Sequence, residues 1–309
     1  MRAWVIKASI QKVTSFLPYR HKVNSLLQKY VTKGLRLADE LFDDKLNHCK
    51  NHLLSLERYS STGKGAALEI GTGWYPIVPI GLYLSGFGKV VSIDLSPLTT
   101  SKFIYQTIEK FITYYKSGRL NLFLPNIDTG RMEKLHQISA DRPSRKILLG
   151  EMNIELVVGD ARRTEFPEAT FDLICSNNTF EHIPLTALQS ILLELNRILK
   201  PSGVMSNNID MSDHFAHFDR SISNFNFLKF SERQWRFIDN SLLSQNRLRL
   251  SDFLTLFQEC GFKTLVHEDR IGNRNELSGV TLDKKFTRYV TEDLLVTHSL
   301  IVSRKGSSD

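Results

Sequence analysis

Residues 66–76 read AALEIGTGWYP and contain the pattern that decides the fold. The first five residues are mostly apolar and form a run of the length of one buried strand. Gly71 and Gly73 then mark a tight turn, and the apolar residues 77–85 predict a helix directly after it. Glycines at such a turn let the backbone approach a ligand closely, and the N-terminus of the following helix presents free N–H groups to an anion. The segment therefore predicts a strand, a ligand-binding turn and a helix in succession.

Beyond this segment the chain repeats short apolar runs separated by helical stretches, which is typical of βαβ units. Seven runs have the length and composition of strands: 66–71, 89–95, 154–160, 171–177, 203–210, 262–269 and 297–304. Parallel neighbours in a sheet need crossover helices, and these cover both of its faces. We therefore predict an α/β, Rossmann-like fold with a seven-stranded, mainly parallel sheet and helices on both faces.

The segments outside this pattern are predicted to be helical. Apolar spacing indicates helices over residues 3–17, about 24–37 and 38 to about 59, with Pro18 ending the first. We interpret residues 1–60 as an N-terminal helical cap and residues 61–309 as one catalytic α/β domain. The long connection between the second and third strands predicts an insertion at about residues 98–153.

The charge of the chain is unevenly distributed. The net charge is +7 at pH 7, yet residues 1–38 contain eight basic and no acidic side chains, so the rest of the chain is close to neutral. A nucleic-acid enzyme would more often have its basic surface around the cleft, so a DNA or RNA substrate is disfavoured. A basic arm that also contains Trp4 and Phe16 leaves peripheral contact with a membrane surface open.

The cysteines and the apolar runs bear on the compartment. No run approaches the roughly 20 apolar residues that span a bilayer. Cys49, Cys175 and Cys260 are odd in number and far apart, which argues against a disulfide framework or a clustered zinc site and favours a cytoplasmic protein. Lys7 and Lys12 interrupt any secretory core, whereas a mitochondrial presequence remains open. Cys175 lies in an apolar run and is interpreted as a core residue.

Asp94 ends the second predicted strand, 21 residues after Gly73. An acid at this place can accept hydrogen bonds from both ribose hydroxyls of an adenosine cofactor, of either the nicotinamide or the methionine kind. Pro76 stands where a dinucleotide-binding fingerprint has its third small residue, which disfavours the phosphate-binding version. An NAD(P)-dependent oxidoreductase stays as an alternative.

Five ordered segments between residues 66 and 204 resemble class I S-adenosylmethionine-dependent methyltransferases. The first is the glycine turn, and the second is the strand that ends in Asp94. The others are VVGDA at 157–161, the strand 171–177 with the loop TFEHI at 179–183, and the turn LKPSG at 199–203. The resemblance does not extend to the cap or the insertion, and Tyr75 replaces the third glycine of the first motif. That departure leaves open a non-catalytic membrane- or partner-binding module on a degenerate methyltransferase fold.

The resemblance implies S-adenosylmethionine as the cofactor, a small-molecule acceptor and no resident metal. It implies that the acid at 160 contacts the adenine amino group, with residue 161 beside the ring. The implied cofactor-binding residues are Glu69, Gly71, Gly73, Asp94, Asp160, Ala161 and Asn177.

Methyl transfer is an in-line displacement, so the protein must align its reactants and exclude water. If the acceptor has a proton to lose, a histidine within reach is a suitable base. We expect His214 rather than His182 to take this role, because the loop after the fifth strand can reach over the methyl group from the acceptor side. His182 equally fits a role in orienting its own loop. The cluster Asp213, His214, His217 and Asp219 could hold a metal ion, but a hydrogen-bonded, solvated turn is favoured.

Two further stretches carry alternatives. The phenylalanine-rich residues 221–235 form either a wall of the acceptor pocket or ordinary packing. Arg247 and Arg249 either hold an anionic acceptor or, as we expect, begin a solvated helix.

Overall fold

The computed structural model describes residues 3–15, 37–240 and 244–306. Most of the helix expected at about 24–37, together with Pro18, lies outside these residues.

The described residues contain one seven-stranded sheet in the order β3-β2-β1-β4-β5-β7-β6. Its strands are β1 Ala66–Ile70, β2 Lys89–Asp94, β3 Ile154–Val158, β4 Phe171–Asn177, β5 Leu199–Asp210, β6 Phe262–Ile271 and β7 Val296–Lys305. Strands β3, β2, β1, β4 and β5 pair in parallel, whereas β7 runs antiparallel to both β5 and β6. The prediction of seven strands in a mainly parallel sheet is confirmed, with each boundary within a few residues.

Eleven α-helices lie in the described residues. The first six are α1 Ala3–Ser15, α2 Asp39–Tyr59, α3 Ile77–Leu84, α4 Ser101–Lys116, α5 Thr129–Asp141 and α6 Arg145–Glu151. The others are α7 Leu185–Ile198, α8 Glu232–Ile238, α9 Leu250–Glu259, α10 Arg274–Ser278 and α11 Thr291–Leu295. Helices α4 to α6 fill the segment that the sequence marks as an insertion.

Alternating side chains of the central strands supply two cores, one on each face of the sheet. Ala67 and Val90 point into the first, where α2, α3 and α4 pack, and Leu68 and Val91 point into the second with α7 and α9. This alternation follows from the two-residue period of a strand. Helices therefore cover both faces, as predicted.

A third apolar cluster lies beyond the sheet and includes the aromatic residues after β5. Phe225 and Phe227 are fully buried in it, so this stretch packs as a core. Trp4 of α1 packs in this cluster, and its ring centroid lies 5.8 Å from those of Phe215 and Phe230. Helix α2 instead packs against the sheet, so the two described N-terminal helices have different packing partners. The cap boundary at residue 60 stays a prediction.

The structure bears on two further expectations, the role of Cys175 and the lack of a membrane-spanning segment. Cys175 is fully buried in β4, which confirms it as a core residue. None of the described helices is both long and apolar enough to cross a membrane.

Candidate active site

A cleft follows the edge of the sheet where β1 to β4 end. It has two adjoining lobes that share Gly71, Asp94, Leu95, Thr179 and His182. The β3 lobe, of about 420 Å³, is also lined by residues 159–162 after β3. The α2 lobe, of about 480 Å³, is also lined by residues 41 and 45 of α2 and by residues 72–75. Both volumes are in the usual range for small-ligand sites.

The glycine turn after β1 forms the floor between the lobes. Gly71 has φ +90°, and a Cβ atom there would lie 2.3 Å from Oγ1 of Thr179, so both conformation and space require glycine. Gly73 has φ +64° and opens onto empty space. Tyr75, where the family has a further glycine, packs its ring 4.9 Å from that of Phe103 and lines the α2 lobe without closing it.

Asp94 lies at the junction of the lobes with its carboxylate held by the backbone. Gly73 N donates to Oδ2 and Ser96 N donates to Oδ1, both at 3.0 Å. A carboxylate has about four lone-pair sites, so two remain for a ligand. The geometry therefore suits two adjacent hydroxyl groups.

Asp160 and Ala161 line the outer end of the β3 lobe. The Asp160 carboxylate accepts hydrogen bonds from the Nε of Arg162 at 2.8 and 3.0 Å. Hydrogen bonds from Arg162 also lower the pKa of Asp160. Both side chains are more than 40% exposed, so this ion pair contributes little stability and leaves the lobe accessible.

Glu69 is a buried acid on the wall of the α2 lobe, and its environment explains its altered acidity. Its Oε2 accepts from Ser92 Oγ at 2.7 Å and its Oε1 from Asn177 Nδ2 at 3.2 Å. Burial raises the pKa of Glu69 to about 7, although these hydrogen bonds and Lys45 act in the opposite direction. Asn177, predicted to bind the cofactor directly, also lines the lobe, but its amide is already engaged with Glu69 and with His52, whose Nε2 lies 2.9 Å from Oδ1.

Lys45 is a residue of the cleft that the sequence did not reveal. It comes from α2, lines the α2 lobe and approaches the carbonyl oxygen of Asn177 at 3.5 Å. Burial lowers its pKa, whereas the charges of Asp44, Glu69 and Glu181 act to raise it. Besides Asp94, the lobe thus presents the acid Glu69 and the amine Lys45 to a ligand.

A partly buried group of histidines and acids lies beside the α2 lobe, at the ends of β4, β5 and β7. We call it the histidine–carboxylate cluster, and its members are Glu181, His182, Asp210, His214, His217 and His298.

Asp210 is the centre of this cluster. Its Oδ1 accepts from Ser212 N at 2.8 Å. Its Oδ2 lies 3.4 Å from Nε2 of His214, 3.7 Å from Nε2 of His217 and 3.5 Å from Nε2 of His298, within ion-pair distance of all three. The contact with His214 does not have the geometry of a hydrogen bond. Burial would raise the pKa of Asp210, but His214 and His298 outweigh it and hold the pKa below its usual range.

His182 connects the cluster to the cleft, since it lines both lobes. Its ring centroid is 4.8 Å from that of His214, and its Nδ1 donates to the carbonyl oxygen of Ser244 at 2.6 Å. Burial lowers the pKa of His182 to about 4, so the ring is neutral near pH 7. Both predicted catalytic histidines therefore lie together, with His182 nearer to the cleft.

Residues 244–246 form a brace that fixes both histidine-bearing turns. Gln245 donates to the carbonyl oxygen of Ser212 and receives a bond from His214 N at 3.4 Å. Asn246 donates to the carbonyl oxygens of Phe180 and Ile183 at 2.8 and 2.9 Å. The brace carries no sequence pattern that could have predicted this role.

One sequence-based expectation after β5 is wrong, and one disfavoured alternative gains no support. Arg247 and Arg249 do not begin a solvated helix: both are buried, and their guanidinium groups donate to backbone carbonyl oxygens. They do not line the cleft either. Asp213 and Asp219 already accept hydrogen bonds from Asn226 and from the backbone of Trp4, so the four-residue cluster proposed as a metal alternative does not form.

Comparisons with known proteins give one family match. A family model described as a methyltransferase domain matches residues 126–206, a span that includes the turns after β3 and β4. A search of curated proteins gave no match.

Solved structures with a similar chain fold include an S-adenosylmethionine-dependent methyltransferase of Clostridium acetobutylicum. It has 10% identity and a TM-score of 0.48, and the alignment covers 93% of this chain and 99% of that one. Another is a methyltransferase of Methanosarcina mazei, with 14% identity, a TM-score of 0.44, and coverage of 81% and 96%.

The fold is an α/β fold, and its cleft lies at the glycine turn and at the acids Asp94 and Asp160. The match of residues 126–206 to a methyltransferase-domain model adds to these features and indicates an S-adenosylmethionine-dependent methyltransferase, with S-adenosylmethionine as its cofactor. This match counts against the NAD(P)-dependent oxidoreductase.

Proposed function

We propose that this methyltransferase acts on a small-molecule acceptor that enters the α2 lobe and meets the histidine–carboxylate cluster. The observation that carries the proposal is the position of His182, which lines both lobes and contacts His214 of the cluster. Lobes of this volume suit a small molecule better than a folded polymer. The near-neutral charge of the chain after residue 38 supports the same choice.

The order of the residues along the cleft matches the order of the adenine, ribose and methionine parts of the cofactor. S-adenosylmethionine supplies an electrophilic methyl group on a sulfonium. Asp160 and Ala161 would hold the adenine, and Asp94 the ribose hydroxyls through its two remaining lone-pair sites. Glu69 and Lys45 face the α2 lobe with opposite charges, which suits the amino and carboxylate groups of the methionine part. Buried charges are tolerated only when they are paired. The ammonium of the ligand would therefore pair with Glu69 and its carboxylate with Lys45.

His214 would act on the acceptor, whereas His182 would hold the boundary between acceptor and cofactor. His214 lies on the turn after β5 and is kept in place by Asp210 and the brace. His182 lines the space on both sides, so its removal should disturb the cofactor as well. This division of roles follows from position alone.

The test measures release of S-adenosylhomocysteine with a panel of small phenols, alcohols, amines and carboxylic acids. With an acceptor found, His214→Ala should lower kcat by about 10²- to 10⁴-fold, a typical cost of losing a residue that activates the acceptor. Its affinity for S-adenosylmethionine should change less than threefold. His182→Ala should weaken both. Near-normal turnover in His214→Ala would refute the assignment, and no turnover on any acceptor would refute the small-molecule proposal.

Peripheral membrane contact through the N-terminal arm is a second partner that one observation favours. Helix α1 exposes Ile6, Ile10 and Val13, which lie at helical spacing, on an arm rich in basic residues. Co-sedimentation with vesicles of anionic lipid should be stronger for the full chain than for an Ile6→Ser/Ile10→Ser variant. Equal sedimentation of the two would reject the proposal.

A further inference from the structure

We propose that Glu181, His182 and His214 form a binding site for a divalent transition-metal ion on the acceptor side of the cleft. The proposal deepens the proposed function and rests on it only for the role of the ion in methyl transfer. Binding of the ion can be tested separately.

The three side chains come from two turns and converge on one point. Each offers one ligand atom, and these atoms all lie within 4.8 Å of one another. Two histidines and one carboxylate are the ligand set of catalytic zinc sites and of non-haem iron sites. Contraction by up to about 1.4 Å would bring the atoms to the spacing of about 3.4 Å that tetrahedral bonds of about 2.1 Å require.

The carboxylate of Glu181 is buried without a hydrogen-bond partner among the described residues. Glu181 is 2% exposed, and both of its carboxylate oxygens are in this condition. Nε2 of His214 is buried in the same condition. Buried polar groups are nearly always paired, so the two unpartnered carboxylate oxygens of Glu181 indicate a missing ligand. A cation satisfies a carboxylate and two imidazoles together.

The surroundings resemble those that orient metal ligands. Nδ1–H of His182 donates to the carbonyl oxygen of Ser244 at 2.6 Å, which leaves Nε2 with its lone pair. Histidines that bind metals usually donate their other N–H in this way. Asp210, 3.4 Å from His214, adds a second negative charge beside the site. The brace fixes the turns on which all three ligands lie.

The site opens onto the cleft, since His182 lines both lobes. Catalytic metal sites keep a coordination position free, and the chemistry the ion supplies is Lewis acidity toward an acceptor oxygen. The acceptor hydroxyl then loses its proton to solvent, its oxygen bonds to the methyl carbon, and the carbon–sulfur bond breaks with its electron pair left on sulfur. No redox change occurs. His214 then acts as a ligand rather than as the free base that the sequence suggested.

The experiment uses the full chain without an affinity tag, stripped with a chelator and titrated with Co²⁺ or Zn²⁺. We expect about one ion per chain by elemental analysis, with visible absorption bands from Co²⁺ that Zn²⁺ abolishes. Glu181→Gln and His214→Asn should each weaken binding at least tenfold. His267→Asn is the matched control, because His267 lies exposed on β6, paired with Asp269, and should bind as the wild type does.

Lack of ion binding by the folded wild-type chain, checked by circular dichroism, would overturn the inference. So would equal binding by Glu181→Gln. Methyl transfer that persists undiminished in chelator would remove the metal from the reaction and leave the proposed function intact. Ion binding without any methyl transfer would instead support the site and count against the proposed acceptor.

Discussion

Replacing Asp94 with alanine tests the cofactor site most directly. Each carboxylate oxygen of Asp94 already accepts one backbone N–H at 3.0 Å, from Gly73 and from Ser96. The remaining lone pairs face the cleft, where two ribose hydroxyls can donate to them. Asp94→Ala therefore removes two charge-assisted hydrogen bonds from the bound state and little packing from the free protein.

The magnitude follows from these two bonds. A hydrogen bond to a charged group contributes roughly 1.5 to 3 kcal/mol. Since Asp94 is partly exposed, we take the lower part of the range, about 3 to 4 kcal/mol for the pair. This corresponds to a Kd for S-adenosylmethionine roughly 100- to 1,000-fold higher. The freed N–H groups lie at an open cleft and can bond water, so stability should fall by only about 1 kcal/mol.

Calorimetry with S-adenosylmethionine and S-adenosylhomocysteine measures the effect, and thermal melting confirms that the variant folds. Asp160→Ala is the matched control, because its carboxylate is more exposed and already paired with Arg162. We expect its Kd to rise less than tenfold. A folded Asp94→Ala chain with affinity within threefold of the wild type would show that this acid does not bind the ribose.

Three other substitutions probe the site and its support. Burial raises the pKa of Glu69 to about 7, and a bound ammonium favours the ionised form, so affinity for S-adenosylmethionine should rise roughly tenfold from pH 6 to pH 8. Glu69→Gln should flatten this profile, and an unchanged slope would mean that another group titrates. Gly71→Ala combines a positive φ with a 2.3 Å contact to Thr179 and should cost about 2 kcal/mol or more in urea unfolding, whereas Gly150→Ala, which meets nothing within 4 Å, should not destabilise. Arg249→Met leaves three buried carbonyl oxygens without their donor and should cost about 3 kcal/mol or more, so an unchanged urea midpoint would contradict the structural role.

The strands and the turns that follow them could be predicted because their signals are local. Apolar runs of strand length, a glycine pair and an acid at a strand end are visible in a few consecutive residues. Since parallel strands bring their carboxyl ends to one edge, the sequence alone places Asp94 and Asp160 at the same cleft. Gly71 and Gly73 followed from the turn after the first strand, and Glu69 from the resemblance to the methyltransferase motif.

The residues that the sequence did not reveal depend on contacts between distant segments. Lys45 reaches the cleft because α2 packs on the sheet, 24 positions before Glu69. His298 meets Asp210 because β7 inserts antiparallel beside β5, which places these two residues directly opposite. The sequence predicts Arg249 at the solvated start of a helix, whereas in the structure it donates to the carbonyl oxygens of Met211, Leu294 and Val296. Charge and position in the sequence give no hint of such surroundings.

The brace of residues 244–246 affects both the entropy cost of ligand binding and the positions at which the enzyme can change during evolution. Because it holds the turns after β4 and β5 from a third segment, their ordering is completed during folding, and a ligand that arrives loses less entropy. Acceptor preference can then drift through the walls of the α2 lobe while the reacting groups keep their spacing. A substitution at Gln245 would act differently, since it loosens the turn that carries His214 and should slow turnover on every acceptor alike.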